Sequence, residues 1–330
     1  MEALPGAVVQ SGTERAVLAD AVIRLRTSRL VGMPTETVYG LAASTFDPKA
    51  IGRIYAAKER PADNPLIAHV SSIEMARSLC RSWPDAASVL AEACWPGPLA
   101  MVLDRERSVP AMAAGGRDSI AVRMPAHPVA LRLIESFGGP VSAPSANRSG
   151  SISPTEARHV LADFVDEDLL ILDGGPCRIG LESTVVDLRS ERPVILRPGA
   201  VTADRIARLL GCPVESPFVE TQADAPGTAS KHYAPTTPTR LCTLEEAGGP
   251  ETAVITIAAA VTERKSPAGI RFRVDLPADP DLVGALLYST LHAADLSGAS
   301  RIDIVSPPSS HEAEAWNAIL DRLHRAAATD

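Results

Sequence analysis

The 330-residue chain lacks several features that mark large classes of protein. Aromatic residues make up only 4% of it, so we do not expect the stacking platforms that bind single-stranded nucleic acid. The formal net charge of −8 argues against a broad basic surface for duplex nucleic acid, but it is compatible with a small cationic cleft. No apolar run approaches the roughly 20 residues that cross a bilayer, and no basic segment followed by an apolar core opens the sequence. We therefore expect a cytoplasmic protein without a membrane segment and without stable nucleic-acid binding.

The cysteines also exclude a class of sites. The five are far apart in sequence, none belongs to a CxxC pair, and none lies at metal-ligand spacing from a histidine. Scattered free thiols are typical of a reducing compartment. We therefore expect no metal site built from cysteine side chains.

Length and composition predict two domains joined by a linker. The content of 45% hydrophobic and 22% charged residues is that of a globular protein, and 330 residues exceed one typical domain. Between 213 and 238 the periodic pattern stops and five prolines occur, which is typical of an extended linker. The predicted organisation is a domain over 1–212, a linker over 213–238 and a smaller domain over 239–330.

Hydrophobic periodicity predicts alternating strands and helices in both domains, hence the α/β (α+β) class. In the smaller domain, strands at 239–241, 253–257, 272–274 and 302–305 alternate with helices at 281–294 and 311–326, which favours a Rossmann-like unit. In the larger domain, strands are expected at 30–33, 65–70, 99–103, 119–125, 141–143, 169–172, 183–188 and 194–196. Its helices are expected at 15–26, 48–60, 72–79, 84–93, 128–137, 155–161 and 201–210.

No standard nucleotide-binding motif is present. The sequence contains neither GxxxxGK[ST] nor a GxGxxG that follows a strand, so a nucleotide site would have to be assembled from separate loops. Lys58, Arg60 and Asn64 follow a helix end and would suit a polyanion such as triphosphate. Cations at a helix C-terminus are also favoured by the helix dipole alone, and this alternative stays open.

Three further signals are weak individually. The serine-rich loop from Ser145 and Asn147 to Ser153 could bind an anion, or Ser153 could simply cap the next helix. Arg123 ends an apolar strand and needs an anionic partner, which could be a ligand or an internal carboxylate. His69, also at a strand end, could be a ligand-binding residue or a core histidine. Polar groups at strand ends and in loops, without a catalytic triad or carboxylate pair, favour catalysis by positioning charged reactants.

Five segments give the chain a specific resemblance, namely PTETVYGL, KERPADNPL with His69 after it, SAPSAN, ESTVVD and LRPG. Together they resemble the YrdC-type domain, and the linker and smaller domain extend the resemblance to the long, two-domain threonylcarbamoyl-AMP synthase family. The resemblance implies a twisted mixed sheet with flanking helices around a concave cleft, followed by a small Rossmann-like α/β domain.

The resemblance also implies an activity. Enzymes of this family condense L-threonine, bicarbonate and ATP into threonylcarbamoyl-AMP and release pyrophosphate, with Mg²⁺ held through the ATP phosphates. Their product supplies the N6-threonylcarbamoyladenosine modification of tRNA, so downstream tRNA threonylcarbamoyl-transferase proteins are the expected partners.

Residue roles follow from the same resemblance. The threonine-binding set would be Thr37, His69, Arg123, Ala143 and Ser183. The ATP-binding set would be Lys58, Arg60, Asn64, Ser119, Ser145, Asn147, Ser153, Arg197 and Tyr233, with Lys58 and Arg60 as the catalytic pair. The linker segment 226–235 would close over the cleft, although Thr228, Ala229 and Ser230 replace the residues usual at the middle of that motif.

Two other functions are weighed against this one. A hydrogenase-maturation carbamoyltransferase shares the YrdC-type domain, but the acylphosphatase segment and zinc-finger cysteines of that family are absent from this sequence. A non-catalytic RNA-binding module could use the concave surface, but the negative net charge and the few aromatic residues count against it. A ligand-sensing role for the smaller domain, added to the catalytic one, stays open.

Overall fold

A computed structural model describes residues 6–215, 232–257, 269–307 and 314–328, which form two sheets with flanking helices. The larger sheet has ten strands in the order β1-β8-β2-β3-β7-β4-β6-β5-β9-β10, with parallel and antiparallel neighbours. These strands are β1 (Val8–Ser11), β2 (Val31–Met33), β3 (Gly40–Ser44), β4 (Ile67–His69), β5 (Leu99–Asp104), β6 (Ser119–Arg123), β7 (Val141–Ser142), β8 (Leu170–Asp173), β9 (Thr184–Asp187) and β10 (Val194–Arg197).

Seven helices accompany this sheet in the described residues: α1 (Arg15–Arg26), α2 (Pro48–Lys58), α3 (Ile73–Ser78), α4 (Asp85–Cys94), α5 (Pro128–Phe137), α6 (Ala157–Asp163) and α7 (Ala203–Leu210). The smaller sheet is entirely parallel in the order β11-β14-β12-β13. It consists of β11 (Thr239–Cys242), β12 (Thr252–Ile257), β13 (Phe272–Leu276) and β14 (Arg301–Val305), with the helices α8 (Pro280–Asp295) and α9 (Asn317–Ala326).

The expected fold class is confirmed, and the deviations from the predicted elements are local. Helices α1 and α5 have the predicted bounds, whereas β1 and β3 were not predicted. Strand β3, with the sequence GLAAS, is buried at four of its five positions and therefore has no alternating pattern to mark it. A short 3₁₀ helix that was not predicted lies at Ala111–Ala114.

Helix α2 begins at the predicted residue, Pro48, but ends at Lys58, two residues before the predicted end. The carboxylate of Asp47 accepts hydrogen bonds from the backbone N–H groups of Lys49 and Ala50 at 2.9 and 3.3 Å, and Pro48 occupies the first turn. Its C-cap is Glu59, which adopts a left-handed conformation with φ of 54°. This left-handed residue turns the chain between Lys58 and Arg60, so the two cations lie in different surroundings.

The two parts of the chain pack against each other through apolar and backbone contacts. The hydrophobic core around α8 and β12 includes Val38, Ile152 and Leu181 from the first part of the chain. Gly180 has a φ of +74°, and a Cβ atom there would lie 2.4 Å from the carbonyl oxygen of Gly284 in α8. The smaller unit is therefore seated directly on the loop that precedes β9.

A stacked histidine pair also lies where the two parts meet. The rings of His159 (α6) and His292 (α8) have centroids 3.9 Å apart and an interplanar angle of 18°. Nδ1 of His159 accepts a hydrogen bond from the N–H of Thr155 at 3.3 Å, which requires an unprotonated nitrogen. Burial, followed by His292 and Arg158, lowers the pKa of His159 to about 3.

We expect this histidine to make the fold sensitive to acid. Its pKa in the folded state lies below the ordinary 6.5, so the unfolded chain takes up the proton first as the pH falls below 6.5. Its stabilising contribution is complete above 6.5 and declines between about pH 6.5 and 3, by about 2 kcal/mol at pH 5. Urea unfolding at pH 7 and pH 5 should show a smaller loss for His159→Asn, which retains an acceptor near Nδ1. Equal losses for the variant and the wild type would contradict this expectation.

Some predicted features lie outside the described residues. Residues 216–231 of the predicted linker and residues 311–313 of the helix expected at 311–326 are among them, so the domain boundaries stay a prediction. Within the part of the chain that is described, we find no helix with the length and apolar character needed to span a bilayer.

Candidate active site

A cavity of about 40 Å³ lies at the ends of several strands of the larger sheet. All five residues of the predicted threonine set line it, together with four of the predicted ATP set. The lining consists of Thr35, Thr37, Val38, Gly40, Arg60, Ile67, His69, Arg123, Ala143, Pro144, Ser145, Glu182, Ser183, Arg197, His232 and Tyr233.

Sheet register explains why residues distant in sequence meet here. Strands β4 and β6 are parallel neighbours, and His69 pairs directly with Arg123 at their carboxyl ends. Strand β7 pairs with β4 in the opposite direction, which brings Ala143, the residue after its end, to hydrogen-bond through its N–H with the carbonyl of Ile67. The register of these strands therefore brings the residues at their ends together around one cavity.

Arg123 is held by an internal carboxylate and also lines the cavity. Its Nη2 lies 2.7 Å from Oε1 of Glu36 as an ion pair that lacks the alignment of a hydrogen bond. It donates hydrogen bonds to Oγ1 of Thr37 at 2.9 Å and to the carbonyl of Gly97 at 3.1 Å. The other oxygen of Glu36 accepts from the N–H of Ala126 at 3.0 Å. Of the two partners left open by the sequence, the internal one is present, and it fixes the guanidinium in the cavity wall.

Glu36 was missed as a site residue. It lies between Thr35 and Thr37 in the polar loop, and its side chain is almost completely buried. The signal that could have identified it was the requirement of Arg123 for an anionic partner, because a carboxylate in a loop close to a buried arginine is a natural candidate.

His69 is a neutral ring in this environment. Burial, with a further contribution from Arg123, lowers its pKa to about 3. Nδ1 lies 3.2 Å from the carbonyl oxygen of Ile67, so a neutral ring donates its proton there. This tautomer leaves Nε2 as a hydrogen-bond acceptor.

Lys58 supports the cavity wall and does not line it. Its ammonium donates to the carbonyl oxygens of Ser145, at 2.6 Å, and Asn147, and it lies 3.2 Å from Oδ1 of Asn147. Burial, followed by repulsion from Arg60, lowers its pKa well below the ordinary value. Lys58 therefore fixes the loop that carries Ser145, and its predicted catalytic role stays a prediction.

Arg60 does line the cavity. Its guanidinium donates to the carbonyl and the side-chain oxygen of Asn64 at 3.2 and 2.5 Å and to the carbonyl of Pro65 at 2.9 Å. Burial lowers its pKa to about 10, so it remains a cation at neutral pH. Asn64 lies behind Arg60 as its hydrogen-bond partner and is not part of the lining.

The remaining members of the predicted ATP set divide into two groups. Ser145 lines the cavity and donates to Oδ1 of Asn147 at 2.6 Å, and Arg197 lines it while donating to the carbonyl of Ser183 at 2.9 Å. Asn147, Ser153 and Ser119 do not line it. Ser119 begins β6, about 13 Å along the strand from Arg123.

Ser153 is not the cap of a helix. The next helix, α6, begins at Ala157 with Glu156 at its N-cap, and neither involves the hydroxyl of Ser153. That hydroxyl donates to Oε1 of Glu182 at 2.6 Å. Glu182 lines the cavity and was also missed by sequence reasoning.

His232 and Tyr233 complete the wall from the described end of the predicted linker. Tyr233 is 1% exposed and has a φ of 61°, a left-handed conformation that is uncommon for a tyrosine. Its hydroxyl and Nδ1 of His232 are buried without a hydrogen-bond partner among the described residues. Residues 226–231 of the linker motif lie outside the described residues.

Comparison with known proteins identifies two family matches that together cover most of the chain. Residues 24–199 match a family described as telomere recombination, Sua5/YciO/YrdC, and residues 201–328 match the C-terminal domain of threonylcarbamoyl-AMP synthase. Among curated relatives, a threonylcarbamoyl-AMP synthase of Bacillus subtilis is 36% identical over 94% of this chain and 92% of its own length. One from Pyrococcus abyssi is 49% identical over 64% of this chain, and the matched part spans 63% of that relative.

Solved structures agree with these matches. The crystal structure of P. abyssi Sua5 complexed with L-threonine superposes with a TM-score of 0.83 at 34% identity, covering 97% of this chain and 96% of that one. A structure of a double-alanine variant of P. abyssi Sua5 superposes with a TM-score of 0.84 over the same shares. The likeness therefore includes both sheets.

Proposed function

The chain belongs to the threonylcarbamoyl-AMP synthase family, and we propose that it is an L-threonylcarbamoyladenylate synthase that acts in tRNA modification. The observation that carries the proposal is the cavity shared by Thr37, His69, Arg123, Ala143 and Ser183. These residues are the threonine set implied by the sequence, and a structure of the same fold was determined with L-threonine bound. Two further cations, Arg60 and Arg197, line the same cavity and supply charge for a polyphosphate.

The proposed reaction has two bond-forming steps. The unprotonated amine of threonine attacks the carbon of bicarbonate, water leaves, and a carbamate forms. A carbamate oxygen then attacks the α-phosphorus of ATP in line with the departing pyrophosphate. Arg123 binds the threonine carboxylate, and the neutral Nε2 of His69 accepts a hydrogen bond from the bound amino acid. Because Glu36 already holds Arg123 in place, little reorganisation is needed on binding.

ATP would lie against Arg60, Ser145 and Arg197, whose charges offset the repulsion between carbamate and triphosphate. Mg²⁺ would be coordinated by the phosphate oxygens, where it neutralises charge. Both oxygens of Glu182 already accept hydrogen bonds, one from Ser153 and the other from Tyr288 and Arg322. Bicarbonate and downstream tRNA threonylcarbamoyl-transferase proteins complete the proposed set of partners, and the cytoplasm is the proposed compartment.

The test is pyrophosphate release from Mg²⁺-ATP, with threonine and bicarbonate each added or omitted. We expect release only when both are present, and threonylcarbamoyl-AMP should be the chromatographed product. Release that depends on carbamoyl phosphate would instead indicate the carbamoyltransferase. The absence of release under every condition would indicate a binding module.

Tyr233 is proposed to shield the reactive product from water. A cavity of about 40 Å³ is much smaller than the roughly 300–1,000 Å³ of typical ligand sites, so a wall must move to admit ATP, and Tyr233 belongs to the joining segment. Once closed again, the ring would exclude water from the adenylate.

For Tyr233→Ala we expect more AMP per threonylcarbamoyl-AMP recovered, by about 10-fold, because water gains access to the site. Tyr233→Phe, which retains the ring, is the matched control and should remain close to the wild type. Both products can be quantified in one chromatographic run. An unchanged ratio for Tyr233→Ala would exclude the shielding role.

A further inference from the structure

A buried ionic cluster joins the cavity to the smaller unit of the chain. Its centre is Glu182, which lines the cavity and is 5% exposed. One carboxylate oxygen accepts from Ser153 at 2.6 Å. The other accepts from Tyr288 of α8 at 2.9 Å and from Nε of Arg322 of α9 at 3.1 Å. The partners of one oxygen therefore belong to the smaller unit.

Arg322 is a completely buried arginine within this ionic cluster, which is unusual for a charged side chain. Its side chain is completely buried, and its guanidinium carbon lies 5.3 Å from the ring centroid of Tyr233 in the cavity wall. It also donates to Asp321 at 2.8 Å, while its Nη2 is buried without a hydrogen-bond partner among the described residues. Burying an arginine with an unused donor lowers stability, so packing alone does not account for it.

The charge of Glu182 explains why a cation is needed there. An uncompensated carboxylate in the wall of a site for carbamate and triphosphate would repel both. Burial alone would raise the pKa of Glu182, but Arg322 and then Arg197 hold it below its ordinary value, so the group stays ionised. Among the described residues, the next cation after Arg322 that holds the pKa of Glu182 down is Arg197, which the proposed function assigns to ATP.

We propose that Arg322 is a positioning residue of the active site, which neutralises and orients Glu182 so that this carboxylate does not compete with ATP for the charge of Arg197. This inference rests on the proposed function, and it gives the smaller unit an indirect part in nucleotide binding. Arg322 touches no substrate and acts through Glu182.

The first experiment compares steady-state kinetics of the full chain, Arg322→Met and Arg325→Met. Arg325 lies one turn further along α9 and pairs with the same Asp321, which makes it a matched control. For Arg322→Met we expect the KM for ATP to rise about 30-fold or more, with a much smaller change in the KM for threonine. Arg325→Met should resemble the wild type. Lysine retains the charge, so Arg322→Lys should recover a large part of the ATP affinity.

A double-mutant cycle then separates positioning from support of the fold. In a Glu182→Gln background no carboxylate remains to be neutralised, so adding Arg322→Met should raise the KM for ATP by less than about threefold. The double variant leaves neither Glu182 nor Arg322 as a buried charge without its partner, and it carries the test if Arg322→Met alone fails to fold, as checked by circular dichroism.

The outcomes distinguish the two levels of inference. A wild type that releases no pyrophosphate would overturn the proposed function itself. With an active wild type, an Arg322→Met variant that behaves like Arg325→Met would overturn the positioning role. The positioning role would also be overturned if Arg322→Met reduced ATP affinity equally in the wild-type and the Glu182→Gln backgrounds.

Discussion

Arg123→Met is expected to weaken threonine binding about 100-fold or more and to leave ATP binding within about threefold of the wild type. The guanidinium lines the cavity next to His69 and Thr37, where it would meet the carboxylate of the amino acid. Methionine has a similar length but offers neither charge nor N–H groups, so a buried charge-assisted contact is lost. Isothermal titration with threonine, and separately with ATP, measures the two affinities.

This substitution should also destabilise the fold. It leaves Glu36, whose side chain is about 4% exposed, as a buried carboxylate without its cation, at a cost of about 3–5 kcal/mol in the free energy of unfolding. The double variant Glu36→Gln/Arg123→Met removes that burden and is the appropriate control. It should regain most of the stability without regaining threonine affinity. If threonine still bound tightly to the folded double variant, Arg123 would not be the carboxylate-binding residue.

Arg60→Met is expected to produce the complementary defect, a rise in the KM for ATP of about 30–100-fold with little change in threonine affinity. Arg60 is a cation in the cavity wall, fixed by Asn64 and Pro65, so its charge is preorganised for a phosphate group. Loss of this charge removes an attraction for the ATP phosphates. Threonine, which would bind at the strand ends, does not depend on that attraction.

The control for Arg60 lies on the preceding helix. Arg53 of α2 donates to the carbonyl of Ser28 on the exposed surface, away from the cavity, so Arg53→Met should leave both substrates unaffected. Initial-rate measurements in which each substrate is varied at saturating levels of the other provide the comparison. Equal losses for ATP and threonine in Arg60→Met would show that the two cations do not divide the substrates as proposed.

Helices could be predicted from this sequence because their signals are local. The N-cap at Asp47 and the glycine after Phe137 set the start of α2 and the end of α5 without help from distant residues. Strand β3 could not be predicted in the same way, because its burial on both faces is imposed by tertiary packing, against α1 on one face and α2 on the other.

The residues of the site likewise differ in whether the sequence alone could identify them. His69 and Arg123 were identifiable because each polar side chain ends an apolar strand, and the parallel register of β4 and β6 then brings them together. Glu182 gave no such signal, because its importance comes from Arg322, 140 residues further along the sequence. Glu182 and Arg322 become an ion pair only because α9 packs against the loop before β9.

The separation of Glu182 and Arg322 in sequence has a consequence during synthesis of the protein on the ribosome. The ribosome adds roughly 5–20 residues per second, so about 7–28 seconds pass between synthesis of Glu182 and synthesis of Arg322. During this interval the carboxylate has no ionic partner from α9, and the pocket wall that it shares with Tyr233 cannot be complete. Nascent chains should therefore acquire ATP affinity only after α9 has left the exit tunnel, well after the strands that line the cavity have been synthesised.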